Sequence, residues 1–216
     1  MAESKRIGIL GSGDVAKTLG QGLAARGYDV KLGTRDPKKL EGWTKEVRGT
    51  VSVGTFAEAA GHGPLVIVST HGEATEAVLE LAGPKNFVGK VVLDTTNPLD
   101  FSHGMPPGLL FGLTDSLGER VQRKLAGAKV VKCFNTVGSP KMVDPKFASG
   151  PARMWVCGND AGAKRTAEGI VRELGWAGVV DVGGIDAARW LEAMVPLWVR
   201  VGQTMNTWGH VLQVVT

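Results

Sequence analysis

A glycine-rich turn near the start of the chain constrains its fold more than any other feature. A short apolar run, residues 7–10, precedes residues 11–16 (GSGDVA), and small or apolar residues then recur at helical spacing. Gly11 permits a tight turn, and Gly13 has no side chain to keep the backbone from a pyrophosphate. The pattern predicts a strand, a phosphate-binding turn and a helix, although such a turn alone is also compatible with a site that binds nothing.

The residues after the second predicted strand, residues 28–32, indicate which dinucleotide binds. An NAD-selective site carries Asp or Glu there for the ribose hydroxyls, whereas this chain has Thr34 and Arg35. With Lys39 they offer a hydroxyl, a guanidinium and an ammonium group, which suit the dianionic 2′-phosphate of NADP. We interpret Asp36 as a helix cap or a charge partner. The alternative is a solvated basic turn that binds no cofactor. Because these residues lie in register with the glycine turn, we favour the NADP interpretation.

Further buried strands at residues 65–70, 91–94 and 129–134 continue the pattern of a parallel sheet. In open α/β sheets the ligand lies outside the carboxyl ends of the strands. The residues expected near the cofactor on this basis are Gly11, Ser12, Gly13, Asp14, Val15, Thr34, Arg35, Lys39, Ser69, Thr70, His71, Asn97 and Pro98. We interpret His71 as a cofactor contact rather than a general acid, and expect Asn97 to hydrogen-bond the nicotinamide ribose.

Two later segments have a different character. Residues 99–114 have no regular period, and so long a loop is expected to be functional or mobile. After residue 140 the pattern predicts strands at 154–157 and 179–182 around a helix at 160–174, then a helical segment at 186–215 broken by Pro196. We therefore predict an α/β fold with a Rossmann-type, doubly wound, mostly parallel sheet over residues 1–140. A small C-terminal α/β appendage with a terminal helix follows over residues 141–216.

Composition restricts the class of ligand. Lys plus Arg number 25 against 21 Asp plus Glu, a net charge of +4, and the basic residues are dispersed, so nucleic acid is not an expected partner. No apolar run approaches the roughly 20 residues of a membrane span. The first residues lack the apolar core of a signal peptide, so the expected location is cytoplasmic, without a membrane partner.

The chain offers no evident acid-base or metal chemistry. Cys133 and Cys157 lie inside apolar runs and are expected to be buried, reduced core thiols. The four histidines lack metal-ligand spacing, and no nucleophile, base and acid stand in a recognisable arrangement: His62, His71, His103 and His210. We accordingly assign no catalytic residue and no metal.

Several stretches together carry a resemblance to a known family. They are residues 11–16, Thr34-Arg35 with Lys39, Thr96-Asn97-Pro98, residues 130–136, and residues 188–192 leading to Pro196-Leu197. In these the chain resembles the short NADP-dependent oxidoreductases of the coenzyme F420 type and the cytoplasmic reductase domain of the STEAP metalloreductases. The resemblance covers nearly the whole chain.

The resemblance implies a cofactor, an acceptor and an assembly. NADPH would bind across the carboxyl edge, with a deazaflavin (coenzyme F420) or a flavin (FMN or FAD) against its nicotinamide. The acceptor cleft would lie between the main domain and the C-terminal piece, lined by Asn135 beside Thr136, where deazaflavin reductases often have a histidine. A homodimer through the terminal helix is also implied.

Three functions are compatible with this reading. The first is hydride transfer between NADP(H) and a small-molecule redox acceptor of the deazaflavin or flavin type. The second is reduction of a small carbonyl or imine, although such enzymes usually add a large all-helical domain. The third is a non-catalytic NADP(H)-binding sensor.

Overall fold

A computed structural model describes residues 5–214 of the 216-residue chain, and its framework is an eight-stranded sheet. The strands are β1 (Arg6–Leu10), β2 (Asp29–Gly33), β3 (Thr50–Gly54), β4 (Leu65–Val68), β5 (Val91–Asp94), β6 (Leu99–Asp100), β7 (Gly108–Leu109), β8 (Lys129–Cys133), β9 (Met154–Gly158) and β10 (Val179–Asp181). Across the sheet the order is β10-β9-β8-β5-β4-β1-β2-β3, and β6 pairs with β7 in a separate ribbon. The order identifies a Rossmann-type fold.

Within residues 5–214, seven α-helices flank the sheet. They are α1 (Asp14–Ala24), α2 (Glu41–Glu46), α3 (Phe56–Gly61), α4 (Thr75–Ala82), α5 (Leu117–Lys124), α6 (Ala161–Glu173) and α7 (Ala188–Met205). Buried apolar residues of α1 and α6 cover one face of the sheet, while those of α3, α4, α5 and α7 cover the other. Because both faces are covered, residues 7–10 of β1 and all of β4 are buried and lack the polar-apolar alternation of a half-exposed strand. The predicted doubly wound α/β fold is confirmed.

The C-terminal strands extend the same sheet. Strand β9 pairs antiparallel with β8 and parallel with β10, and the other neighbouring pairs of the sheet are parallel. The appendage therefore adds a reversed strand and a further edge to the Rossmann core, instead of forming a sheet of its own. The division of the chain at residue 140 stays a prediction.

Two expectations for the irregular segments need correction. Residues 99–114 are not without regular structure, because β6 and β7 form a short antiparallel ribbon there. Helix α7 is not broken at Pro196 but continues through it to Met205, and Asn206 ends it with a left-handed backbone (φ 49°). Residues 207–214 are not helical, and residue 215 lies outside the described residues.

Packing explains why α7 tolerates its proline. Pro196 has no N–H to donate to the carbonyl of Glu192, one turn earlier. The buried residues Leu191, Val195 and Val199 lie on either side of Pro196 and hold the helix in place. The large apolar residues of this helix lie in two environments, with Trp198 buried and Trp190 61% exposed.

The close approach of α3 to β1 gives a prediction about stability. A Cβ on Gly8 would lie 1.9 Å from the carbonyl oxygen of Ala59, so Gly8→Ala must separate the helix from the strand. We expect it to lower the free energy of unfolding by about 1–3 kcal/mol, measured by urea denaturation. Gly169→Ala is the control, because that exposed helical glycine has open space around it and should gain roughly 0.5–1 kcal/mol. If Gly8→Ala and Gly169→Ala changed the free energy of unfolding by the same amount, the close approach of α3 to β1 would not explain the effect at Gly8.

Candidate functional site

A cleft of about 1080 Å³ opens at the carboxyl edge of the parallel strands. The structure brings most of the predicted site residues to its wall: Gly11, Ser12, Gly13, Asp14, Val15, Thr34, Arg35, Lys39, Ser69, Thr70, His71 and Asn97. The wall also includes residues that were not among the expected cofactor contacts: Glu73, Thr96, Leu99, Phe101 and Ser139 are among them. The cleft is therefore elongated along the edge of the sheet.

The two glycines of the turn serve different purposes. Gly11 has a φ of +137°, and a Cβ there would lie 2.1 Å from the carbonyl oxygen of Ser69. Its N–H donates to the carbonyl of Gly33 at 2.9 Å, so this glycine is required by the approach of neighbouring strand ends. Gly13 has ordinary backbone angles, and a Cβ there would meet no atom within 4 Å.

Gly13 also leaves the start of α1 open. It occupies the N-cap position and supplies no side-chain hydrogen bond to the first turn. The free N–H groups of that turn therefore face the cleft, where the helix dipole favours an anion. Open space above uncapped donors is what a bound pyrophosphate requires. These residues fit the phosphates of a dinucleotide.

The end of β2 forms a polar and cationic corner of the cleft. The hydroxyl of buried Thr34 accepts the N–H of Asp36 at 3.2 Å and lies 3.4 Å from the hydroxyl of Ser12. The Asp36 carboxylate accepts the N–H of Lys38 at 3.2 Å, which confirms Asp36 as a cap. Arg35 and Lys39 are exposed, and neither forms an ion pair within residues 5–214. Two available cations beside a hydroxyl fit a phosphate group.

The ends of β4 and β5 form the middle of the wall. The hydroxyls of Thr70 and Thr75 lie 2.8 Å apart, and the Thr95 hydroxyl donates to the carbonyl of Val68 at 3.0 Å. The hydroxyl of Ser69 is buried and has no partner among the described residues. It is consequently a polar atom of the wall whose hydrogen-bonding capacity is unused.

Asn97 is paired with Asn135 behind this wall. The Asn97 amide donates to the carbonyl of Asn135 at 2.8 Å, and the Asn135 amide donates to Oδ1 of Asn97 at 3.0 Å and to the carbonyl of Leu191 at 3.0 Å. These bonds use one hydrogen of the Asn97 amide and one lone pair of its oxygen. One of each is left for a ligand in the cleft.

Three predicted residues lie behind the wall rather than on it. Asn135 is 4% exposed, Thr136 and Pro98 are also buried, and none of the three lines the cleft. The physical reason is a turn after β8, where Phe134 adopts a left-handed backbone with a φ of 62°. Asn135 therefore faces Asn97 and helix α7, and the expectation that it lines the acceptor cleft is not met.

Sequence reasoning missed a buried ionic cluster below the same wall. The ammonium group of Lys132 is fully buried, 2.9 Å from Oδ2 of Asp94 and 2.7 Å from Oε1 of Glu192. It also donates to the carbonyl of Thr96 at 2.6 Å. The signal was a lysine within the apolar run of residues 130–134, since a lysine in a buried strand requires a partner.

Three acceptors satisfy the ammonium group of Lys132, and its surroundings favour the charged form of this lysine. Burial opposes the charge of Lys132, but the carboxylates of Asp94 and Glu192 outweigh burial and raise the pKa of that lysine. The Glu192 carboxylate also accepts the N–H groups of Leu117 and Gly118, at 2.8 and 2.9 Å, in the first turn of α5. The excess negative charge thus lies at a helix N-terminus, where it is favoured.

Neither cysteine is a reactive thiol, and the described residues form no metal centre. Burial raises the pKa of Cys157 to about 12 and that of Cys133 well above its usual value, so both thiols stay protonated. Within residues 5–214, no group of His, Cys, Asp and Glu side chains could hold a metal ion. None of the described helices combines the length and apolar character that crossing a membrane requires.

This fold and cleft define the class: a Rossmann-type dinucleotide-binding protein. The profile of the family described as NADP oxidoreductase, coenzyme F420-dependent, matches residues 6–98. The F420-dependent NADP reductase of Methanocaldococcus jannaschii is 30% identical over 208 residues, covering 89% of this chain and 90% of the relative. The chain belongs to this family.

Two further comparisons agree with this assignment. A crystal structure from Arthrobacter sp. FB24, assigned as an F420-dependent NADP reductase, has a TM-score of 0.93 and 40% identity, covering 99% of this chain and 100% of that one. Metalloreductase STEAP3 of Rattus norvegicus is 29% identical over 202 residues. That match covers 91% of this chain but 38% of the relative, so the chain spans less than half the length of the STEAP proteins it matches.

The open space at Gly13 yields a prediction. Gly13→Ala should leave the fold intact, because its Cβ meets no protein atom, but should displace a pyrophosphate from the start of α1. We expect NADPH affinity to fall at least about tenfold, which is about 1.4 kcal/mol, measured by fluorescence titration. The thermal midpoint should change little, since Gly to Ala at an N-cap costs at most about 1 kcal/mol. Unchanged affinity would contradict this assignment of the turn.

Proposed function

We propose that the chain transfers hydride between NADP(H) and the ring of a deazaflavin (coenzyme F420) or a flavin (FMN or FAD), directly from ring to ring. The observation that carries the proposal is the length of the cleft. It begins at the cationic corner of Arg35 and Lys39 and continues past Asn97 to Leu99 and Phe101. A dinucleotide extended along the strand ends leaves room for a second flat ring at that far end.

The proposed cofactor contacts follow the strand order. The 2′-phosphate lies at Thr34, Arg35 and Lys39, with Ser12 beside them, and the pyrophosphate lies at the start of α1. The nicotinamide and its ribose lie at the ends of β4 and β5, with contacts from Ser69, Thr70, His71 and Asn97. Pro98, Asn135 and Thr136 support that wall from behind. NADP supplies the transferable hydride when it is bound.

The acceptor end has the character that a flat ring requires. Phe101 is 55% exposed and lines the cleft together with Leu99, on and beside the short ribbon of β6 and β7. Hydride transfer between two rings depends on their distance and alignment more than on acid-base groups. The same cleft is also lined by His71, Glu73 and Asp100, and the proposal assigns none of them a proton-transfer role.

We further propose a homodimer through helix α7. Trp190 is 61% exposed, Leu197 57% and Met205 63%, although the opposite face of the same helix is buried in the fold. Large apolar side chains are enriched at the centre of protein interfaces. A second copy of the chain is the partner that the resemblance implies, and no nucleic-acid or membrane partner is proposed.

The decisive experiment is a stopped-flow measurement on the purified protein. NADPH is mixed with coenzyme F420, FMN or FAD, and the absorbance of each ring is followed. We expect reduction of at least one ring, at a rate that saturates with NADPH. Tight binding of NADPH without turnover of any ring would favour a non-catalytic NADP(H)-binding sensor. Turnover of a small imine or carbonyl alone would favour a reductase of such compounds.

The 2′-phosphate assignment is tested by Arg35→Ala. Loss of a charge-assisted bond should weaken NADPH binding by roughly 1.5–3 kcal/mol and leave NADH binding nearly unchanged. Titration of both cofactors measures the difference. Lys38→Ala is the matched control, because Lys38 is an exposed cation in the same turn that does not line the cleft. Equal losses for NADPH and NADH would exclude the assignment.

The proposed interface is tested by Leu197→Glu. A charge at the centre of an apolar interface has no partner, so we expect the variant to be monomeric at concentrations where the wild type is a dimer. Light scattering after size-exclusion chromatography measures the mass. Leu81→Glu is the control, since Leu81 is 62% exposed on α4, away from α7. A monomeric wild type, or a dimeric variant, would refute the interface.

A further inference from the structure

The buried lysine of β8 contacts the wall of the cleft as well as the carboxylates that neutralise it. Its ammonium group donates to the carbonyl of Thr96 at 2.6 Å. On the other side of that residue, the N–H and hydroxyl of Thr96 donate to Oδ1 of Asp94 at 3.0 and 2.6 Å. Thr96 is thus held through its donor groups and through its acceptor, and it lines the cleft at the end of β5.

The same ammonium group reaches the terminal helix. Glu192 of α7 accepts from Lys132 at 2.7 Å and from the first N–H groups of α5. One residue earlier in α7, the carbonyl of Leu191 accepts from Asn135, which is paired with Asn97. Two routes of hydrogen bonds therefore join the segment 96–97 to α7, and one of them passes through Lys132.

Stability alone does not account for this arrangement. Removing a lysine and two carboxylates from water is costly, and well-packed apolar residues of similar volume are often equally or more stabilising. An ionic cluster with several directed bonds fixes the relative positions of its members more strictly than apolar packing does. Here the fixed members are a strand end that lines the cleft and the helix behind it.

We propose that Lys132 is a positioning residue, whose ammonium group fixes the Thr96-Asn97 segment against which the nicotinamide half of NADP(H) lies and locks α7 behind it. The inference rests on the proposed function for the place of the nicotinamide. It does not require a particular acceptor. The adenosine end of the cleft, at Thr34 and Arg35, is on other strand ends and is independent of the lysine.

The test is Lys132→Met, which keeps the length of the side chain and removes its charge. Two ligands separate the ends of the cleft: NADPH, and 2′,5′-ADP, which lacks the nicotinamide half. We expect the dissociation constant of 2′,5′-ADP to stay within about twofold of the wild type. The fluorescence enhancement of bound NADPH should fall, and the rate constant of hydride transfer should fall about tenfold to a hundredfold.

Lys90→Met is the matched control. Lys90 is a partly buried lysine whose ammonium group donates to the carbonyl of Ala60 at 2.6 Å, at the amino end of β5 and away from the cleft. Its loss should lower stability without changing the fluorescence of bound NADPH. A purely structural lysine at position 132 would give the same result as this control, and that outcome would overturn the proposal.

A second variant guards against misfolding. Lys132→Met leaves two carboxylates without their cation, so the double variant Lys132→Met with Glu192→Gln reduces the buried charge. It should show the same selective change at the nicotinamide half. Failure of both variants to fold would assign Lys132 to stability alone and overturn the proposal.

The readouts also separate this inference from the proposed function. If the wild type binds NADPH and reduces no ring, the proposed function fails, while the fluorescence of bound NADPH still decides the role of Lys132. If the wild type reduces a ring and Lys132→Met leaves the fluorescence and the transfer rate unchanged, the inference about Lys132 fails alone.

Discussion

Parallel pairing of β1, β2, β4, β5 and β8 is the constraint on which the site depends. Because these strands run in one direction, their carboxyl ends meet at one edge, and so do the starts of the helices that follow. Two glycines allow the close contacts around β1, because a Cβ on either would lie about 2 Å from a backbone carbonyl oxygen. Gly8 lets helix α3 pack on β1, and Gly11 lets the turn after β1 approach Ser69 at the end of β4. Strand order then fixes which residues can be neighbours in the cleft.

Much of this was predictable from sequence because it depends on local patterns. Apolar runs gave the strands, and the glycine turn and the cap at Asp36 follow from backbone chemistry that acts within a few residues. Since parallel strand ends share an edge, the positions of Ser69 and Asn97 on the cleft wall also followed. The family resemblance gave the class of enzyme, which periodicity alone does not contain.

The errors arose where distant residues decide. Pro196 ends a helix in isolation, but contacts of its flanking turns with the rest of the fold hold α7 together. Asn135 was expected at the acceptor cleft because the family resemblance implied it, whereas the left-handed backbone of Phe134 sets the direction in which Asn135 faces. Lys132, Asp94 and Glu192 come together from two strands and a helix, and no spacing in the sequence relates them.

The cleft uses positive charge in two physically different ways. At one end Arg35 and Lys39 are exposed cations without ion pairs among the described residues, so they are available to an incoming phosphate. An ion pair at such an exposed position would add little to the stability of the fold. Leaving these two side chains unpaired for a ligand therefore costs the fold little stability. Toward the other end Lys132 is buried and its bonds are complete, so it is unavailable to a ligand and acts on the shape of the wall.

This division of roles suits a reaction in which the cofactors supply the chemistry. Direct hydride transfer requires two rings at a fixed separation, and a displacement of about 1 Å can cost a hundredfold in rate. The proposed function would therefore require the protein to hold one ring by its charged tail and to keep the wall behind that ring rigid. A flexible, solvated wall would meet the first requirement and fail the second. Buried hydrogen bonds from Asp94 and Lys132 to Thr96 meet the second, because neither partner can exchange them for water.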